Sequence, residues 1–498
     1  MNPLRAVPHP LLIEVSARTW IRRVREADGP AGLDGVPDAV LEGFRREGYH
    51  GVWLMGAWTT GPAGIRLARE HPSLRAAYDR LIPGWTEEDV GGSPFSIRAY
   101  EPGPELGGWD ALARFRARLH SRGMGLMLDF VPNHVACDHP WTVTHPDRLV
   151  QGSEEQLQAE PDSWYRVDAP DAGSRIFAHG RDPHFPGWTD TAQVDYRKAE
   201  TRAAMLDILR TIARNCDGVR CDVAMLLLPD VIERTWGTLP DEAPGDFWRD
   251  AIEALRAEGH DTVFLAEAYW GTESRLIRRG FDYAYDKGLY DDLLAADAEA
   301  VRRRVAAPAA ELARGAHFLE NHDEQRAAAT LGEKRRAAAA VTFGLPGMRF
   351  FHDGQDEGHR LHVPVQLARA PEEETDEESV AFHHRLRGIL SDPAYLSGEW
   401  SALDVGPAGP DDPVPPLIAG AWRLGSALRI FVANVSGEVG RARIPLPVAE
   451  SGALLLHIRD DLSGQDFERD RSEVREPGLF VELGAWGAHF LRLEDPGP

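Results

Sequence analysis

The sequence predicts an α/β protein, a (β/α)8 TIM barrel with an inserted subdomain after strand three and a C-terminal antiparallel β-sandwich. Two patterns predict this architecture. Eight short β-type runs alternate with helical stretches up to about residue 396, and strand–helix alternation at that count is the signature of a closed parallel barrel. From about residue 397 the helices give way to runs of alternating apolar and polar residues, as expected for antiparallel sheets. A third observation concerns chemistry: several of the eight runs end in clusters of Asp, Glu, His and Asn, at the end of a barrel where active sites form.

The candidate strands, in order, are "LLIEV" (11–15), "HGVWLMG" (50–56), "LMLDFV" (126–131), "GVRCDV" (218–223), "VFLAEAY" (263–269), "FDYAYD" (281–286), "AHFLEN" (316–321) and "GMRFFH" (347–352). Between them lie amphipathic stretches such as "GGWDALARFRARLHSRG" (107–123), in which Leu112, Phe115 and Leu119 recur at helical spacing. Residues 132–196 break the alternation. They are rich in Pro, Gly, His, Trp and Asp, carry no clear helix, and are too long for an ordinary connection, so they read as a subdomain inserted after strand three. The expected division is therefore a catalytic barrel from 1–131 and 197–396, an insert at 132–196, and a sandwich at 397–498. The acidic run at 371–378 reads as a solvated loop before the last barrel helix.

Composition narrows the function classes. A formal net charge of −24 opposes binding to nucleic acid or to an anionic membrane surface, since both would be repelled. With 43% hydrophobic and 27% charged residues the chain is globular, and no run approaches membrane-spanning length. Three cysteines, Cys137, Cys216 and Cys221, fit neither a disulfide framework nor a metal-site spacing. The opening "MNPLRAVPHPLLIEVSARTW" lacks a basic segment followed by an apolar core, so a cytoplasmic location is expected.

Four strand ends carry the chemistry. Strand three delivers Asp129, Asn133 and His134; strand four, Arg220 and Asp222; strand five, Glu267; strand seven, Asn321, His322 and Asp323. Each cluster alone reads equally well as turn chemistry where a chain leaves a sheet. Four in one barrel would require that coincidence repeatedly. Arg220, two residues before Asp222 on the same strand face, is placed to keep that carboxylate ionised, and the apolar surroundings of Glu267 favour its protonated form.

In this order "DFVPNH", "GVRCD", "AE" and "ENHD" resemble the four signature regions of the α-amylase family, glycoside hydrolase family thirteen, and "GLPGMRFFHDGQ" (344–355) resembles its eighth-strand motif. The resemblance implies a retaining glycoside hydrolase or transglycosylase acting on an α-glucan or malto-oligosaccharide. It further implies Asp222 as nucleophile, Glu267 as general acid/base and Asp323 as the third acid. His134, His322, Arg220, Asn321 and Tyr100 are implied as substrate-binding residues, with Asp129 and Asn133 in support. Relatives place a sugar-stacking tyrosine after strand two, and here Tyr100 or Phe95 takes that part. Trp141, Trp164, Trp188 and Trp270 are further stacking candidates. Asn133 matches a calcium ligand of many relatives, which leaves calcium open as a cofactor, although no further oxygen ligands are identifiable.

Three alternatives stand beside this reading. "GSPFSI" and "DHPWTVTHP" resemble segments of glucan maltosyltransferases that use a sugar-phosphate donor. A non-catalytic interaction protein of the same fold would typically lack one of the three acids, and all three are present. Catalysis by metal-bound water would need a clustered ligand set that Asp129 and His134 do not supply.

Overall fold

The computed structural model describes residues 2–25, 29–30, 32–169, 173–237, 246–450 and 452–495. All eight expected strands form, and they close into a barrel in which every neighbouring pair is parallel. They are β1 (Leu11–Ser16), β2 (Gly51–Met55), β3 (Gly125–Phe130), β4 (Gly218–Cys221), β5 (Val263–Ala266), β6 (Tyr283–Tyr285), β7 (Gly315–His317) and β8 (Met348–His352). Side chains alternate across a strand, so each one feeds two environments. Leu11, Ile13 and Val15 face the surrounding helices, whereas Leu12 and Glu14 face the barrel axis; Leu126 and Leu128 point out while Met127 and Asp129 point in.

The barrel interior is therefore layered. Its lower part is apolar, built from Leu12, Trp53, Met127, Leu265, Phe318 and Phe350. Leu4, 1% exposed, closes the mouth beneath them. It fits because strands β2, β3 and β4 begin with glycine: a Cβ on Gly51, Gly125 or Gly218 would lie 2.4, 2.8 or 2.9 Å from the Leu4 side chain. Above the apolar layer, at the carboxyl ends of the strands, the inward positions turn polar: Glu14, Asp129, Arg220 and Glu267. The same period-two rule that buries Leu12 thus delivers Glu14 one step further along.

Between β3 and β4 the chain makes two antiparallel ribbons, His134–Ala136 with Thr191–Gln193 and Trp164–Ala169 with Gly173–Ala178. It also contains the short helices Trp141–Thr144 and Glu154–Ala159, which the sequence reading did not anticipate; one and two turns are too short to show a periodicity. The second is fixed by a capping box between Ser153 and Gln156. The end of the acidic run is likewise helical in outcome: Asp376 caps Glu377–Leu390 by accepting from the backbone N–H groups of Glu378 and Ser379.

Beyond Glu399 the chain forms a six-stranded and a three-stranded antiparallel sheet that share a core of Leu417, Ile430, Val432, Ile444, Val481 and Leu491, among others. This sandwich is joined to the barrel through the helix Arg335–Gly344, where Trp422 Nε1 donates to the Gly344 carbonyl at 2.7 Å and the Phe431 ring closes on Gly344. Among the described residues no helix is long and apolar enough to cross a membrane.

Candidate active site

The polar upper layer converges on Arg220, which is wholly buried. One terminal nitrogen of its guanidinium, Nη1, donates to Asp222 Oδ1, and the other, Nη2, lies 2.8 Å from Glu267 Oε2. Its Nε donates to the Tyr285 hydroxyl at 3.3 Å, and the group sits over the faces of Trp53, Phe95 and Tyr285 at 5.4–5.7 Å. A planar fork with donors on two edges can hold two carboxylates side by side, which a lysine ammonium could not do with fixed orientation. The sequence reading paired Arg220 with Asp222 alone; register explains the second contact, since Arg220 on β4 lies beside Leu265 on β5, two residues before Glu267.

Glu267 is 3% exposed. Its Oε1 accepts from the Tyr269 hydroxyl at 2.9 Å, and its Oε2 accepts from the backbone N–H of Val223. Burial pushes the Glu267 carboxyl up to about 7 against the pull of Arg220. Asp222 is also raised above the ordinary aspartate value, because burial, with Asp323 and Asp129 nearby, outweighs the same guanidinium. Arg220 therefore limits the rise at both acids without cancelling it.

Two residues beside these carboxylates hold left-handed backbone conformations that non-glycine residues seldom adopt: Val223 (φ 36°), next to Asp222, and Trp270 (φ 61°), three residues after Glu267. For the β-branched Val223 this is strained backbone. The conformation presents its N–H to Glu267. Trp270 stays 46% exposed with His184 edge-on at 5.0 Å.

His322 and Asp323 approach from the loop after β7. His322 Nε2 lies 3.1 Å from Asp323 Oδ2, and His322 Nδ1 lies 2.5 Å from Glu14 Oε1. Asp323 keeps 44% of its side chain open to the cleft. The protein around it opposes its ionisation, yet His322 and then Arg220 hold it down to about 2. Asn321 shapes this loop: its Oδ1 accepts from the backbone N–H groups of Asp323 and Glu324, both at 2.9 Å. Behind it Glu320, 1% exposed, binds Arg326 Nη1 at 2.6 Å and the Ala327 N–H at 2.6 Å.

The two histidines taken together in the sequence reading differ here. Burial pushes His134 down to about 3, and its ring lies 5.0 Å from Trp188. His322, between two carboxylates, is instead raised well above the usual histidine value despite its burial. Asp129 anchors the end of β2, accepting from Trp53 Nε1 at 2.9 Å and from the Gly56 N–H at 2.8 Å. Gly56 is required there: its φ is 76°, and a Cβ would lie 2.7 Å from Pro94.

Tyr100 departs from the expectation. Its hydroxyl donates to the Val131 carbonyl at 2.9 Å and accepts from the Val131 N–H at 3.0 Å, and its ring packs on Trp58 and Phe130 outside the polar cluster. Phe95 is the aromatic residue brought to the carboxylates, stacked on His322 at 5.1 Å and 26°. The residues around Asn133 do not suit calcium: its Oδ1 accepts from Gln193 Nε2 at 3.1 Å, an amide donor where a cation would need another oxygen. Among the described residues no cluster of three or more Asp, Glu, His or Cys side chains is arranged to hold a metal.

Glu14 and Glu320 were missed by the strand-end argument. Glu14 gave the same signal as Asp129, an acid within an apolar strand, but no polar cluster followed it. Tyr285 and Tyr269 carried no signal apart from ordinary aromatic packing.

Residues 98–406 match the family model described as the alpha amylase catalytic domain. An alpha-amylase, MalA, of Haloarcula japonica is 25% identical over 358 residues, 70% of this chain and 48% of that protein. An alpha-1,4-glucan:maltose-1-phosphate maltosyltransferase of Burkholderia pseudomallei is 27% identical over 275 residues, 52% of this chain and 21% of that protein. The chain thus spans half or less of the length of these two relatives. A noncanonic maltogenic alpha-amylase, AmyB, of Thermotoga neapolitana superposes over 99% of this chain and all of its own, with a TM-score of 0.69 at 19% identity, a likeness of fold.

Proposed function

The chain belongs to the α-amylase family, and on that premise we propose that it is a retaining enzyme acting on the α-glucosidic bonds of α-glucans or malto-oligosaccharides. The observation that carries the reading is one buried guanidinium touching two carboxylates of unlike surroundings. A double displacement needs its nucleophile and its acid close together at one anomeric centre, and a guanidinium beside both carboxylates keeps them neighbours.

Each group then has a defined task. Arg220 engages Asp222 Oδ1, leaving Oδ2 to attack the anomeric carbon while the bond to the leaving oxygen breaks. Glu267 Oε2 accepts from Val223 N–H and lies 2.8 Å from the Arg220 guanidinium, which assigns the transferable proton to Oε1, beside the Tyr269 hydroxyl, from where it passes to the leaving oxygen. In the second step Glu267 takes a proton from an incoming hydroxyl, of water or of a sugar, which attacks the anomeric carbon and frees Asp222. Asp323 and His322 bind ring hydroxyls, His134 does so as a neutral imidazole, and Phe95 gives the sugar an apolar face. The three buried free cysteines support a reducing compartment, the cytoplasm.

Product analysis with α-glucans, maltose 1-phosphate, trehalose and sucrose tests the reading. Retention of configuration, seen by NMR before mutarotation, is the expected result; an inverted product would overturn it. A sugar-phosphate donor is a second reading, favoured by the similarity to the maltosyltransferase over half of this chain. Release of inorganic phosphate from maltose 1-phosphate, with no turnover of α-glucan alone, would select it.

A further inference from the structure

We propose that Glu14 is a positioning residue of the cleft: its carboxylate holds the His322 ring through Nδ1, doubly protonated and turned so that Nε2–H faces Asp323. The proposal assumes that Asp323 binds substrate in the way just described, but its central observable is the state of one imidazole and needs no turnover.

Glu14 lies on β1 with no exposed surface; its Oε1 lies 2.5 Å from His322 Nδ1 in a hydrogen bond, and among the described residues its Oε2 has no hydrogen-bond partner. Burying an acidic side chain away from water is costly unless a cation faces it. Arg220, the guanidinium at the centre of this layer, is engaged elsewhere, with Nη1 donating to Asp222 and Nη2 2.8 Å from Glu267 Oε2. His322 is then the counter-ion. Its ring plane is also fixed by packing, stacked on Phe95 at 5.1 Å and met edge-on by Trp53 at 5.5 Å.

The charged and titratable groups around the ring favour the same state. Glu14 faces it from β1, Asp323 from its own loop and Asp129 from β3, all anionic when ionised. Arg220, which acts on Asp323 and Asp129, and His362, whose Nε2 lies 3.0 Å from the His322 carbonyl, oppose them. Two carboxylates, Glu14 and Asp323, lie within 3.1 Å of the ring nitrogens, and they hold the ring above the usual histidine value against its own burial. The arrangement supplies a second fixed cation to a layer crowded with acids. It also explains an acid in the middle of the apolar run "LLIEV".

The test is a pH titration of the full-length protein labelled with 15N-histidine, with His322 assigned by comparison with His322→Gln. In the unsubstituted protein the ring should show two protonated nitrogens at pH 7 and above. In Glu14→Gln, which keeps shape and removes charge, the titration midpoint should fall by about 1–3 units, the usual worth of an opposite charge at this range. Sugar binding should weaken more at pH 8 than at pH 6, because the ring then loses its proton within that interval. Glu14→Asp should return part of the shift. A neutral ring in the unsubstituted protein at pH 7 would overturn the proposal, even if Glu14→Gln proved unable to fold. An unchanged midpoint in folded Glu14→Gln would overturn it too. Absence of any glycosidic activity would instead overturn the proposed function and leave the titration unaffected.

Discussion

Glu267 must be protonated to donate and Asp222 ionised to attack, and the two environments set the pH range in which both hold. Since burial raises Glu267 to about 7, kcat/KM should be sustained below that pH and fall as pH rises through it. Asp222 is raised above the ordinary aspartate range, so the acid limb should appear at higher pH than a free aspartate would give. A pH profile lacking the upper limb near 7 would contradict the assignment of the acid. Glu267→Gln should slow the first step on a natural glycoside by about 10²–10⁴-fold, and far less on a glycosyl fluoride, whose leaving group needs little protonation. Equal losses on both would remove Glu267 from that role. These residues were legible because acids recur at the ends of several strands of one chain, in the order of the family's motifs, whereas Glu14, alone in its apolar run, was not. The left-handed backbone at Val223 and Trp270 was not, since nothing in either residue type announces a positive φ, and Tyr100 was misplaced because its hydroxyl found a backbone partner on Val131.

Strands deliver these side chains, and loops orient them. Short β-type runs separated by helical stretches made all eight barrel strands readable, whereas the one- and two-turn helices between β3 and β4 were too short to show a period. The loop carrying Asn321, His322 and Asp323 is pinned by Glu320, which Arg326 and His352 hold down to about 2 in spite of burial. A folded value below the unfolded one means stabilisation that is complete above about 4.5 and lost as pH falls towards 2. Glu320→Gln should accordingly destabilise the protein at neutral pH and flatten its acid unfolding between those limits. Urea titrations at several pH values would measure this, and an unchanged acid dependence would show that the pair contributes nothing.

At the scale of the molecule the barrel is an apolar base closed by Leu4 beneath a polar reaction layer, and the sandwich is docked through the helix before β8. Leu4→Ala should cost about 2–5 kcal/mol of stability, as large-to-small changes in a closed core do, with little change in kcat because the cavity lies below the carboxylates. Denaturant unfolding and steady-state kinetics on the same sample would separate the two effects. The central claim is that this layer makes Asp222 the attacking group, and trapping the covalent intermediate tests it most directly. In Glu267→Gln, α-maltosyl fluoride should glycosylate the protein faster than the intermediate is released, because the base for the second step is missing. Proteolysis and mass spectrometry should then find the added maltosyl mass on the peptide that carries Asp222. The same mass on the peptide carrying Asp323, or fluoride released with no adduct on any peptide, would contradict the account.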